Sequence, residues 1–231
     1  MNIDIICPLY NAEKYIKHLH QSVLMQENVD LKSINYVLTR SKDNTEKILK
    51  ELNANYVTIE PKDFSHSMSR EMMAKRSTAD IIVFISQDIK IIRKDWLYYL
   101  TKDIADGKCE AAYSRQLADK NNIEKYTREK NYSTQSFIKT KEDIKKMGLN
   151  TFFFSDASSA INRKVFEELN YYDGKHFPSN EDQYLAHKLI MTGYRIKYCA
   201  ESEVVHSHDF NFKTLYKRYQ DTGDFYRADP K

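Results

Sequence analysis

The sequence predicts an α/β fold, a mostly parallel central sheet flanked by helices, in one domain of 231 residues. Two observations carry this prediction. Short β-branched runs alternate with segments of helical spacing through the first 115 residues, the rhythm of βαβ units. The run Ile81-Ile82-Val83-Phe84-Ile85 is continuously apolar, as a parallel strand covered on both faces must be. A length of 231 residues and 41% apolar content suffice for one well-buried core and fall short of two ordinary domains.

The elements follow in order. Strands are predicted at Ile3–Cys7, Tyr36–Thr39, Tyr56–Ile59 and Ile81–Ile85. Between them, Asn11 is placed to cap a helix over Ala12–Met25, Asp43 or Asn44 one running to Leu52, and Ser65 or Ser67 one running to Lys75. Residues 117–148 are rich in Lys, Asn and Glu and read as a partly helical, exposed excursion, a candidate lid. Beyond it come the apolar run Phe152–Phe154, helices near Arg163–Leu169 and Glu181–Met191, strands near Tyr194–Cys199 and Glu203–Val205, and a last helix around Phe212–Tyr219. The chain stops abruptly after that pattern, which fits a natural protein that continues past Lys231.

Composition excludes several classes. Net charge is +3, from 36 basic and 33 acidic residues that interleave, so no basic stripe suited to nucleic acid exists. Cys7, Cys109 and Cys199 stand far apart without CxxC spacing, which fits free thiols in a reducing compartment and predicts a cytoplasmic location. No export signal opens the chain, and no apolar run approaches the roughly 20 residues of a membrane helix, so membrane association would be peripheral. Only five glycines occur, and the closest pair, Gly174 and Gly193, is 19 residues apart, so neither a Walker loop nor a Rossmann fingerprint is present. Any phosphate must be held by side chains and a metal.

Four constellations could carry chemistry. Ser86-Gln87-Asp88 puts a carboxylate directly after the most apolar strand, where open sheets bind ligands, although Asp88 fits a turn cap equally well. His206 and His208 would share one side of an extended segment and could supply an imidazole to the same cation, although such pairs often decorate surfaces. His18 and His20 have the same spacing on a helix, point apart, and read as structural. Phe64 through Arg70 offers hydroxyls, an imidazole and a guanidinium at a helix start, a place that suits an anion. Finally, Asn180-Glu181-Asp182-Gln183 brings two acids to a helix start, where they also favour the dipole. Adjacent helix positions point about 100° apart, so one of the two, Asp182, is favoured to face a reacting centre, with Glu181 in support.

In order and spacing these blocks resemble family 2 glycosyltransferases of the GT-A fold, and more narrowly the bacterial rhamnosyltransferase-like branch. Pro8-Leu9-Tyr10-Asn11-Ala12-Glu13 with Ser22 through Gln26 is similar to the family's first strand and helix, and Ser41-Lys42-Asp43-Asn44-Thr45 to its nucleotide-binding turn. Ser155 through Ala160, Glu181-Asp182-Gln183, Gly193 through Ile196 and Val205 through His208 complete the likeness. It implies a nucleotide-binding half over 1–115 and an acceptor and catalytic half over 116–231. Pro8, Tyr10, Glu13, Arg40 and Asp43 would line the nucleoside pocket, His66 and Arg70 would approach the nucleotide, and Asp156 and Ser158 would line the sugar pocket. Asp88 with His206, or alternatively His208, would hold Mg²⁺ or Mn²⁺, and Asp182 would be the catalytic base. Two departures stand out: Ser86 replaces the first acid of Asp-x-Asp, and Thr39 or Arg40 stands where an acid often precedes the nucleotide-binding turn.

The implied reaction is inverting transfer of a sugar, rhamnose among the candidates, from a dTDP- or UDP-linked donor to a saccharide or lipid-linked acceptor in surface polysaccharide synthesis, at the inner face of the membrane. The rival from another class is a non-catalytic nucleotide-sugar or glycan-binding module with the same fold. A metal-dependent hydrolase would need more ligands than Asp88 and one or two histidines provide.

Overall fold

A computed structural model describes residues 1–119, 122–206 and 212–228. The strands and helices in chain order are β1 (Asn2–Leu9), α1 (Ile16–Leu24), β2 (Asp30–Thr39), α2 (Thr45–Glu51), β3 (Asn55–Ile59), α3 (His66–Ala74), β4 (Ile81–Ile85), β5 (Lys90–Ile91) and α4 (Trp96–Ala105). They continue with β6 (Ala111–Leu117), α5 (Ile123–Asn131), β7 (Phe137–Lys139), α6 (Ile144–Met147), β8 (Ser158–Asn162), α7 (Arg163–Glu168), α8 (Glu181–Thr192), β9 (Ile196–Val205) and α9 (Phe212–Ala228).

One sheet runs through both halves of the chain in the order β3-β2-β1-β4-β8-β6-β9-β5, with β7 also paired to β9. The first four strands are parallel, as their rhythm implies. β8 then enters antiparallel to both β4 and β6, while β9 lies parallel to β6. Two antiparallel steps restore direction, so β1, β2, β4, β6 and β9 all end at one edge of the sheet. Alternation along β1 sends Ile3, Ile5, Cys7 and Leu9 into a core shared with α1, α2 and α4. Ile6, with Ile82 and Phe84 of β4, faces a second core built on α3, α7 and α8 through Met73, Phe166, Leu185 and Leu189.

Several expectations change. α1 begins at Ile16, and Asn11 does not cap it: at φ 48° its backbone is left-handed, and it bonds to the loop after β2 instead. Ser65 does cap α3, accepting the Met68 N–H at 3.1 Å. The excursion after residue 117 is helical in part, yet it also adds β7 to the sheet and buries Tyr132 and Lys139. The two strands read near residues 194–205 are one, β9, interrupted where Cys199 faces Ser114 but Glu203 faces Arg115, so that 200–202 bulge out. β6, β8 and α4 have no counterpart in the sequence reading. The three cysteines are free and buried, and His20 is structural, its Nδ1 2.9 Å from the Tyr36 hydroxyl.

Candidate active site

The chain goes from β1 to β2 and β3 on one side, then to β4 on the other, which opens a crevice beyond the carboxyl ends of β1 and β4. There the Gln87 amide clasps the Tyr10 backbone from both sides: Tyr10 N–H donates to Oε1 at 2.8 Å, and Nε2 donates to the Tyr10 carbonyl at 3.0 Å. The loops after β1 and β2 are also laced together. Asp43 accepts from Glu13 N–H at 3.0 Å, Thr45 N–H at 3.1 Å and the Thr45 hydroxyl at 2.6 Å. These bonds hold its carboxyl below the usual range against the opposing effect of burial. Glu13 in turn accepts the Asn44 N–H at 3.0 Å. Pro8 ends partly buried in this crevice and Tyr10 is 50% exposed beside it. Arg40 instead turns along the surface to Glu60 at 2.7 Å.

A buried cluster of charge lies on the other side. Arg70 of α3 donates to Glu181 Oε1 at 3.1 Å and to the Asp156 carbonyl at 3.3 Å, with Nε 4.0 Å from the Asp156 carboxylate. Asp156 also accepts from the Ser159 hydroxyl at 2.6 Å and the Tyr172 hydroxyl at 2.7 Å. Arg70, expected near the nucleotide, is 3% exposed and lies against two buried carboxylates, whose charge it offsets. Asp156 and Ser158, expected at the sugar pocket, are both buried. The Ser158 hydroxyl bonds to Trp96 Nε1 at 3.1 Å and Ser114 Oγ at 2.6 Å, which satisfies polar groups in the core.

Asp182, one residue beyond Glu181 at the start of α8, remains partly exposed. It accepts the Gln183 N–H at 2.8 Å and the Asp156 N–H at 3.4 Å. Burial, with the like charges of Glu181 and Asp156 close by, pushes its carboxyl well above the ordinary value. A buried carboxylate of raised proton affinity is a candidate for proton transfer. His66 is half-exposed with Nδ1 3.9 Å from Glu181. Burial, assisted by Arg70, pushes its imidazole down to about 4, so it is neutral under ordinary conditions.

Asp88 and His206 meet as their positions after β4 and β9 require, with Nε2 3.4 Å from Oδ1. His208 lies outside the described residues. Among the described residues no group of three or more His, Cys, Asp or Glu could hold a metal. A two-ligand contribution still fits a hard cation whose remaining positions are filled by donor phosphates and water. Gln116, unremarkable in the sequence, joins this corner to the acidic one. It bonds His206 Nδ1 at 2.9 Å and donates to the Ser155 hydroxyl at 2.8 Å, next to the residue whose N–H reaches Asp182. Gln87 was within reach of sequence reasoning as the neighbour of Asp88; a lone Gln inside β6 carried no signal.

Paired loops at the carboxyl edge, a carboxylate with a raised proton affinity and an acid–imidazole pair lie together here, and the family model for glycosyl transferase family 2 matches residues 4–170. The chain belongs to that family. It is 36% identical over 234 residues to the O-antigen chain rhamnosyltransferase RfbN of Salmonella typhimurium, covering 100% of this chain and 74% of that protein. With WbaN, an O-antigen chain rhamnosyltransferase of Salmonella anatum, identity is 32% over 234 residues, covering 99% and 73%. Two solved structures share the fold. TarS residues 1–349 of S. aureus has a TM-score of 0.68 at 17% identity, with 90% of this chain spanning 60% of that one. The mannosyltransferase PcManGT of Pyrobaculum calidifontis, solved with GDP-Man and Mn²⁺, has a TM-score of 0.64 at 17% identity, covering 94% and 60%. The GT-A fold is thus the observed one.

Proposed function

We propose that this glycosyltransferase performs inverting transfer from a nucleotide-diphosphate sugar, dTDP-rhamnose or a UDP-sugar, to a saccharide or lipid-linked acceptor in surface polysaccharide synthesis. The rhamnosyltransferase relatives support rhamnose as the sugar. The observation that carries the reading is the placing of the raised Asp182 carboxyl beside Asp156 N–H, with the neighbouring Ser155 hydroxyl bonded through Gln116 to the His206 of the Asp88–His206 pair.

Asp182 takes the proton from the acceptor hydroxyl as its oxygen attacks the anomeric carbon, and the bond to the nucleoside diphosphate breaks on the opposite face. Glu181 and Asp156 keep the proton affinity of Asp182 high. Arg70 holds those two carboxylates in place instead of touching the donor. Tyr10, clasped by Gln87, and Asp43 with Glu13 form the nucleoside side of the crevice, and His66, neutral, offers a hydrogen bond without charge. Asp88 and His206 would hold Mg²⁺ or Mn²⁺, which when bound neutralises the departing diphosphate. The work is placed in the cytoplasm at the membrane face; no helix among the described residues is long and apolar enough to cross a membrane.

A thermal-shift screen against UDP-, dTDP- and GDP-sugars, with and without Mn²⁺, tests this reading. Stabilisation by one donor together with slow donor hydrolysis is expected. Stabilisation without any turnover would instead favour a binding module.

A further inference from the structure

His206 can serve a cation through Nε2 only if that nitrogen carries a lone pair, and the hydrogen bonds around Gln116 decide this. Gln116 is 1% exposed, on β6. Its Oε1 lies 2.5 Å from Arg128 NH1, a donor from α5. A guanidinium cannot accept a hydrogen bond, so the Gln116 atom facing it must be the oxygen. The other end of the amide, Nε2, then donates to Ser155 Oγ at 2.8 Å, a hydroxyl that accepts this bond. His206 Nδ1, 2.9 Å from that same oxygen, must therefore be the donor. The neutral Nε2–H tautomer conflicts with this pattern; of the forms that fit it, the neutral Nδ1–H tautomer is the one with an Nε2 lone pair for a cation.

We propose that Gln116 is a positioning residue: oriented by Arg128, it holds His206 in the Nδ1–H tautomer and turns Nε2 toward Asp88, 3.4 Å away. The inference rests on the reading of Asp88 and His206 as the cation pair. It gives the excursion after β6 a defined task, since α5 delivers Arg128 to the far side of the same amide. An outer partner of this kind typically governs metal affinity by about 10–100-fold.

The test begins with wild-type protein carrying ¹⁵N-histidine, metal-free and at a pH where imidazoles are neutral, in which long-range proton–nitrogen spectra report each tautomer. His206 is expected as Nδ1–H. In Gln116→Leu, which has no acceptor, the Nε2–H form gains population and the affinity for Mn²⁺ alone falls about 10–100-fold. Gln116→Glu keeps an acceptor beside Arg128 and retains both the tautomer and Mn²⁺ affinity within a few-fold. A wild-type His206 found as Nε2–H overturns the proposal, as does a Gln116→Leu protein with unchanged tautomer and Mn²⁺ affinity. Should Gln116→Leu not fold, the wild-type spectrum and Gln116→Glu decide the matter. Wild type in the Nδ1–H form that binds no Mn²⁺ would sink the cation reading alone.

Discussion

Replacing Asp182 with Asn separates catalysis from folding. The carboxylate accepts one good backbone bond, from Gln183 at 2.8 Å, and one weak one, from Asp156 at 3.4 Å. The Asn carbonyl oxygen keeps the first, and losing the second costs at most about 1 kcal/mol. Against that loss, the substitution removes a charge crowded by Glu181 and Asp156. Tm is therefore expected to stay within about 4 °C of wild type. A positioned base is worth about 10²–10⁴-fold, so transfer should fall by that factor, or about 3–5 kcal/mol of barrier. Single-turnover transfer measures the rate, calorimetric titration the donor affinity, and a thermal melt confirms the fold. A folded Asp182→Asn protein that binds donor normally and transfers within tenfold of wild type would refute the assignment.

Three further outcomes are expected. Because the Asp182 carboxyl is raised in the fold, its protonated form is the one folding favours: this contribution is complete below the unfolded value and fades as pH rises through the folded one, whereas base catalysis grows over that same interval. Wild-type melts and kcat/KM should thus move in opposite directions with rising pH, and an acid limb of kcat/KM in the ordinary carboxylate range would contradict the raised value. Arg70→Met leaves Glu181 and Asp156 buried without their cation, so stability measured by urea unfolding should drop by about 3–5 kcal/mol. Ser158→Ala should cost only about 1 kcal/mol and leave donor affinity by calorimetric titration unchanged, since its hydroxyl faces Trp96 and Ser114.

The first half of the fold was legible because Ile81–Ile85 and its neighbours obey local rules of apolar runs and spacing. β8 escaped because Ser158-Ser159-Ala160 looks like a loop. The Ser158 hydroxyl is satisfied by Trp96 and Ser114, distant in sequence, and that of Ser159 by Asp156 close by, so the strand's polar side chains can be buried. The same physics applies to Arg70. A guanidinium at a helix start reads as a phosphate ligand, and nothing local shows that one of its partners, Glu181, lies 111 residues away. Asp88 and His206 were legible as a pair because each follows a strand, and the direction of β4 and β9 was enough to bring them together. Gln116 was not, since its meaning depends on three partners contributed by three separate segments.

The bulge at 200–202 bears on how this protein tolerates changes in length. Cys199 sits opposite Ser114 and Glu203 opposite Arg115, so β9 reaches the carboxyl edge only after absorbing an odd number of extra residues. Side chains along a strand alternate faces. Deleting or inserting one residue between Ala200 and Ser202 would therefore turn His206 away from both Gln116 and Asp88 while leaving every site residue present in the sequence. A homologue could keep the whole set of motifs and still be inactive for want of one residue in a segment outside all of them.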